Sequence, residues 1–214
     1  MEIFGLILLA LYFILEGKKM FSENKKIFPD GENENFINEY NQIIEYCINT
    51  LNPNGKILQF GYSFGNASKK IIKYNIEQLV IIEPEKKIYE IANSWANTIK
   101  NITLINKNLD ESLSDLECYD SIFLDCFNLK TIVSNNEENR LSKDQILSIL
   151  VETLILNYTY EKAKIVLLLN DFQHIKINSD IKEQVELEYH DTNKLINIEG
   201  SQESLLKILL ISKN

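Results

Sequence analysis

The chain has 214 residues with 22 basic and 31 acidic side chains, hence a net charge of 22 − 31 = −9 at neutral pH. That length suits one domain with a full core and leaves no room for a second substrate domain. The charge, with Arg140 as the single arginine, excludes the basic stripe that duplex nucleic acid requires, so no nucleic-acid partner is expected.

Residues 3–15 are thirteen apolar residues closed by Glu16, Gly17, Lys18 and Lys19. They are shorter than the ~20 that cross a bilayer, and they lack the basic start and small-residue cleavage site of a signal peptide. Three readings stay open: a membrane or interfacial anchor, a helix packed on the domain or on a dimer partner, or initiation at Met20. Residues 21–35 are polar, with Pro29 and Gly31, and read as a linker or a lid. The domain proper is expected over 36–214, with 1–35 as an apolar segment and linker.

Residues 36–51 form an amphipathic helix, with Phe36, Ile37, Tyr40, Ile43, Ile44, Cys47, Ile48 and Leu51 at three- and four-residue steps. Asn52-Pro53-Asn54-Gly55 ends it. A strand follows at 56–60, then a turn with Gly61, Ser63 and Gly65 at alternate positions, then a helix from Asn66 and a strand over 78–82 that stops on Glu83. Small residues there let the backbone turn sharply and approach a ligand, and the helix start directs free N–H groups at the turn. An acid about 20 residues beyond such a turn can accept the ribose hydroxyls of a nucleoside.

Beyond Pro84 the pattern predicts a helix over 86–99, a strand over 102–105 and a polar, turn-rich stretch over 106–116. A strand over 119–125 ends on Asp125, an irregular loop covers 126–141, and a helix over 143–158 is apolar on most sides and hence buried. A fifth strand covers 163–169, and 184–189 and 205–211 form a closing antiparallel pair. Repeated strand–helix–strand units mean an α/β, Rossmann-like, doubly wound and mostly parallel sheet of seven strands. Ligands of such sheets bind at the carboxyl ends of the strands beside the switch in strand order. That rule selects Gly61, Tyr62, Ser63 and Gly65, Glu83, the segment Asn108-Leu109-Asp110, and Asp125.

ILQFGYSFG followed by LVIIEPE resembles the first two motifs of class I S-adenosylmethionine (SAM) dependent methyltransferases, with Gln59 in place of the usual acid and Ser63 in place of the middle glycine. The resemblance implies the strand order 3-2-1-4-5-7-6, SAM as cofactor, and a cofactor site made of Gly61, Tyr62, Ser63, Gly65, Glu83, Asn108, Leu109 and Asp125. Within that superfamily, the stretch from Glu39 to Leu129 is similar to guanidinoacetate N-methyltransferase. That similarity implies a small amine or guanidine as methyl acceptor, with Asp125 orienting the acceptor nitrogen and Glu39 as a second acid facing it. The aromatic and proline residues that flank the second acid in that family are absent around Glu39, which also reads as a solvated helix residue. Asp125 also reads as a plain strand-end turn residue, Glu83 as an acid at a helix start, and the glycines as an ordinary tight turn.

Two other classes fit parts of the pattern. Residues 61–65 are a literal G-x-S-x-G, and Asp125 with His174 or His190 would complete a hydrolase triad in chain order, although no upstream oxyanion loop precedes the turn. A non-catalytic binding module on the same scaffold would explain Gln59 and Ser63. Aminopropyl transfer wants a further acid after Asp125, and Cys126-Phe127-Asn128 offers none. Cys47, Cys118 and Cys126 are odd in number and include no C-x-x-C pair, which argues for a reducing, cytoplasmic setting and against structural zinc. With two histidines, no metal-ligand cluster is expected.

Overall fold

The computed structural model describes residues 34–63, 65–126, 142–170, 175–198 and 201–213. The apolar stretch 3–15, most of the 21–35 linker, the 127–141 loop and His174 lie outside the described residues. The chain divides into two compact units, Met1–Asn38 and Glu39–Asn214.

In chain order the elements are α1 (Glu34–Leu51), β1 (Gly55–Phe60), α2 (Asn66–Ile71), β2 (Ile76–Ile82), α3 (Lys86–Ala96), β3 (Ile102–Ile105), α4 (Leu109–Ser112), β4 (Tyr119–Asp125), α5 (Lys143–Asn157), β5 (Thr159–Asn170), α6 (Ser179–Lys182), β6 (Val185–Ile198) and β7 (Ser201–Lys213). The seven strands form one sheet in the order β3-β2-β1-β4-β5-β7-β6, as expected. β1, β2, β3, β4 and β5 run parallel, and β7 joins β5 and β6 antiparallel.

The central strands are buried on both sides, which is why they read as continuous apolar runs. Alternation sends Leu58, Phe60, Val80, Ile82, Ile122, Leu124, Ile165 and Leu167 to one face, where Leu147, Leu150, Val151, Leu154 and Ile155 of α5 complete the main core. Each fully buried aliphatic of this kind contributes about 1.5–3 kcal/mol of burial free energy. Ile57, Gln59, Leu79, Ile81 and Phe123 take the opposite face. On that side α1 is tied to α2 and the turn after it by a ladder of hydrogen bonds: Asn66 Nδ2 donates to Asn41, Lys70 Nζ to Glu45 and the Tyr74 hydroxyl to Asn49. The rungs recur every four residues because that spacing returns to the same helix face.

Three expectations change. The 106–116 stretch contains α4 followed by a 3-10 turn, Leu113–Asp115. Its start is fixed by Asn108 and Glu111, whose carboxylate accepts from the Asn108 N–H at 3.3 Å. The closing hairpin is longer than 184–189 and 205–211, because pairing continues through polar residues with register shifts between Asp191/Leu195 and Ile196/Ile198. And α5 is not covered all round: Ile149 and Leu156, seven residues apart on one face, are each 49% exposed.

Candidate active site at the carboxyl ends of β1, β2 and β4

Strand order reverses between β1 and β4, so the crevice opens beside the carboxyl ends of these two strands. Three residues of the turn after β1 hold left-handed backbone, Gly61 at φ 80°, Ser63 at φ 50° and Gly65 at φ 72°. Gly61 continues the sheet by donating its N–H to the Ile82 carbonyl at 2.9 Å, and the Gly65 N–H closes the turn on the Tyr62 carbonyl at 2.7 Å. Gln59 is wholly buried beneath it. Its Nε2 donates to the Gly61 carbonyl at 2.6 Å and its Oε1 accepts from the Ser68 hydroxyl at 2.9 Å, which ties β1, the turn and α2 together. A carboxylate cannot donate to the Gly61 carbonyl. The amide in place of the usual acid therefore has a structural use of its own.

Glu83 stands at the end of β2 and is 4% exposed. Its carboxylate accepts the Tyr62 N–H at 2.8 Å and the Glu85 N–H at 2.9 Å, so it anchors both the turn and the start of α3. Burial raises its pKa above the ordinary glutamate value, and the N–H groups of Tyr62, Glu85 and Ser63 pull it partly back. With about four lone-pair sites, the carboxylate keeps acceptor capacity beyond these N–H groups, which a ribose hydroxyl can use. Asn106 joins the group by donating Nδ2 to the Glu83 carbonyl at 2.7 Å.

Tyr62 turns inward. It is 1% exposed, its ring lies 5.5 Å from that of Trp95, and its hydroxyl finds no partner among the described residues. A Cβ added to Gly65 would sit 2.5 Å from that hydroxyl, whereas one added to Gly61 would meet only the Asp125 Cβ, at 3.8 Å. A side chain at Gly61 would thus come into ordinary van der Waals contact with Asp125, whereas the corresponding space at Gly65 is already filled by the Tyr62 ring.

Asp125 ends β4 beside Gly61 and is half-buried. The Tyr40 hydroxyl donates to its Oδ2. Tyr40 is 6% exposed, and Ser63 lies close enough to pull its pKa slightly down. Burial first, and then the Asp125 charge, raise the Tyr40 pKa well above that of a free phenol. The same two causes raise Cys47 and Cys126, both fully buried, so neither thiol is a ready thiolate. Tyr40, Ile44, Gly61, Tyr62, Ser63, Asn66, Ala67, Phe123 and Asp125 line a small cleft.

The structure therefore brings Gly61, Tyr62, Ser63 and Asp125 onto one cleft, with Glu83 holding the turn from β2. Asn108 starts α4, and Leu109 is buried in the main core, 1% exposed; neither lines that cleft. Glu39 precedes Tyr40 on α1, is half-buried, and is likewise absent from the lining. Among the described residues no set of three or more His, Cys, Asp and Glu is arranged to hold a metal ion. Sequence reasoning placed Tyr40 on the apolar face of α1 and did not give it a part in the site. Its only signal was a phenol among the aliphatic positions of that face.

No protein-family model matches the sequence, and no curated protein matches it significantly. Solved structures do. The N-methyltransferase NodS from Bradyrhizobium japonicum is similar over 86% of this chain and 99% of its own, with a TM-score of 0.59 and 11% identity. Magnesium protoporphyrin IX methyltransferase (ChlM) from Synechocystis, solved with SAM, is similar over 97% of this chain and 96% of its own, with a TM-score of 0.56 and 12% identity. Its structure with S-adenosylhomocysteine (SAH) gives 0.57 over 97% and 99%. The chain has the class I methyltransferase fold. At such identities the likeness extends to the fold alone.

The hydrolase alternative with His190 meets a geometric obstacle, while His174 lies outside the described residues. Asp125 pairs with Leu168, Leu168 with Ile208 and Ile208 with His190. His190 is therefore level with Asp125 but three strands away, about 14 Å at the usual strand spacing. It bonds Tyr46 at 3.3 Å and lies 3.2 Å from the Glu188 carboxylate.

Proposed function

We propose that the chain is a SAM-dependent methyltransferase that methylates the nitrogen of a small amine or guanidine. The observation that carries this reading is that the left-handed Gly61 turn and a strand-end carboxylate, Asp125, line one cleft at the switch point. The fold of SAM-binding neighbours supports the choice of cofactor. Gly61 and its turn would take the amino-acid end, Glu83 the ribose hydroxyls, and Asn108, Leu109 and Asp110 the adenine side. When bound, SAM supplies a methyl group on a sulfonium. Asp125 would accept an N–H of the acceptor, aim its lone pair at the methyl carbon and stabilise the charge that grows on nitrogen, so orientation and electrostatics do the catalysis. Glu39 remains the candidate second acid.

Asp125→Asn tests the assignment. SAH binding measured by calorimetry should persist, while methyl transfer from labelled SAM to a panel of amines and guanidines should fall by about 100-fold, the scale of losing one well-placed electrostatic contact. Unchanged transfer in the variant would sink the role of Asp125.

A second reading rests on Tyr62 and Gln59: both fill positions of the turn with side chains used for packing and internal hydrogen bonds, as a scaffold without catalysis would. A thermal titration decides between the two, because a ligand bound only by the folded state raises the melting midpoint. SAH raising it supports the enzyme; no shift at millimolar SAH supports the scaffold.

A further inference from the structure

We propose that Gln59 is a positioning residue for the nucleoside site: it fixes the direction of the Gly61–Tyr62 peptide group and through it holds Glu83 in place for the ribose. The inference rests on the methyltransferase reading above. Two buried side chains take the two ends of that one peptide group. Its carbonyl accepts from Gln59 Nε2 at 2.6 Å, and its N–H donates to Glu83 Oε2 at 2.8 Å. The peptide is trans, so its C=O and N–H point in opposite directions. Gln59 of β1 and Glu83 at the end of β2 therefore grip the plane from its two sides.

Glycine makes such a grip necessary. Gly61 holds φ 80°, where a glycine meets little steric resistance, so its own backbone does little to stop the peptide from turning over. A turned peptide would break both hydrogen bonds together and aim the Gly61 carbonyl at the Glu83 carboxylate. Glu83 would then lose a donor and gain a repelling oxygen, and the place it offers to ribose hydroxyls would go with it. Gln59 opposes this from beneath the turn. It is wholly buried, and its two ends cannot exchange, because the Gly61 carbonyl only accepts and must meet the amide nitrogen. The amide oxygen is left to accept from the Ser68 hydroxyl of α2 at 2.9 Å.

The residue type follows from the same chemistry. A neutral carboxylic acid at 59 could still donate to the Gly61 carbonyl and accept from Ser68, so it would reproduce both bonds. A carboxylate can only accept, and would favour the turned peptide with the Tyr62 N–H toward itself. Level with Gln59 on the flanking strands are Ile81 of β2 and Phe123 of β4, and Ser68 meets it from α2. The titratable groups of the turn and its cleft are Glu83 and Glu85 beyond the peptide, Asp125 of β4, and the phenols of Tyr40 and Tyr62. An acid buried in that setting holds its proton above the ordinary carboxylate range.

Gln59→Glu is compared with the wild type by calorimetric titration of the full chain with SAH from about pH 5 to about pH 9, a span that covers both forms of a buried acid. The ratio of the two affinities is read, so that titration of Glu83, common to both proteins, cancels. It should lie within about twofold of unity at the acid end, where the side chain at 59 is neutral, and fall by about fivefold or more toward the alkaline end, the measure of a buried hydrogen bond lost. Gln59→Met removes both bonds at every pH. It should lose about fivefold or more of SAH affinity beside Glu83, and less than about twofold once Glu83→Gln has removed the carboxylate it positions, since residues acting through one another are not additive. A ratio independent of pH, or equal losses in the two backgrounds, overturns the proposal. Where a variant does not fold, hydrogen exchange in the wild type decides. The Tyr62 amide should exchange as slowly as those of β1, and exchange at the rate of an exposed turn overturns the proposal. Failure of the wild type to bind SAH removes the methyltransferase reading and this one with it, whereas SAH binding with an unprotected Tyr62 amide removes this one alone.

Discussion

Gly61 and Gly65 share left-handed backbone, at φ 80° and 72°, yet a methyl group added to each would meet different surroundings. At Gly65 it would run into the Tyr62 phenol, which is locked against Trp95. At Gly61 it would lie against the Asp125 Cβ at 3.8 Å, beside the cleft. Gly65→Ala should therefore act on stability, adding a steric clash to the roughly 1–2 kcal/mol that an L-residue pays for this backbone region. Gly61→Ala should pay that backbone term with little clash but lose SAH affinity, because its methyl occupies the ligand's approach. Denaturant melts and calorimetry on the two variants check this; equal stability losses with equal SAH affinities would show that the two glycines do one job. A bare glycine spacing cannot make this distinction, since it depends on where a side chain from the same turn points.

The helices show how far periodicity reaches. The three- and four-residue recurrence in α1 marks the buried face correctly, with Tyr40, Ile43, Ile44, Cys47, Ile48 and Leu51 all buried. It does not say what a hydroxyl on that face will find, because Asp125 is 85 residues away in sequence and meets it only through docking of the helix on the sheet. α4 was hidden for a different reason: four residues cannot display a 3.6-residue period, and only the Asn108 and Glu111 pair marked its start. The carboxyl end of α5 depends on a partner equally remote. Lys213, in the last strand, donates its Nζ to the Ile155 carbonyl at 2.9 Å, the Thr159 carbonyl at 3.1 Å and the Thr159 hydroxyl at 3.2 Å. A cation there satisfies carbonyls that the helix leaves unpaired and complements its dipole. Lys213→Met keeps the aliphatic stem and removes the cap, and should cost about 1–2 kcal/mol, or about 2–8 °C in melting temperature for a domain of this size. A variant that melts with the wild type would show that solvent serves those carbonyls equally well.

On the scale of the whole molecule, a mostly parallel sheet was legible because strands and helices alternate, its order came from the resemblance to class I methyltransferases, and the site followed from where that order reverses. The acid at the end of β2 was legible by spacing; its second use, as anchor of the turn through the Tyr62 N–H, was not. That double use couples proton binding, stability and cofactor binding. Glu83 is raised above its unfolded value of about 4.3, so its contribution to stability is fully present below that value and is lost as pH rises through the folded one. Cofactor binding has the opposite sign. The ribose hydroxyls donate to the ionised carboxylate, so affinity should grow as pH climbs through the raised folded value and level off above it. The melting shift produced by a fixed SAH concentration should accordingly increase from mildly acidic to neutral pH, starting from a less stable ligand-free protein as far as this group is concerned. Glu83→Gln, which cannot titrate, should flatten that dependence and lower the shift at neutral pH. If the variant kept the full pH dependence, the proton would belong to another group, and Glu83 would serve the turn alone.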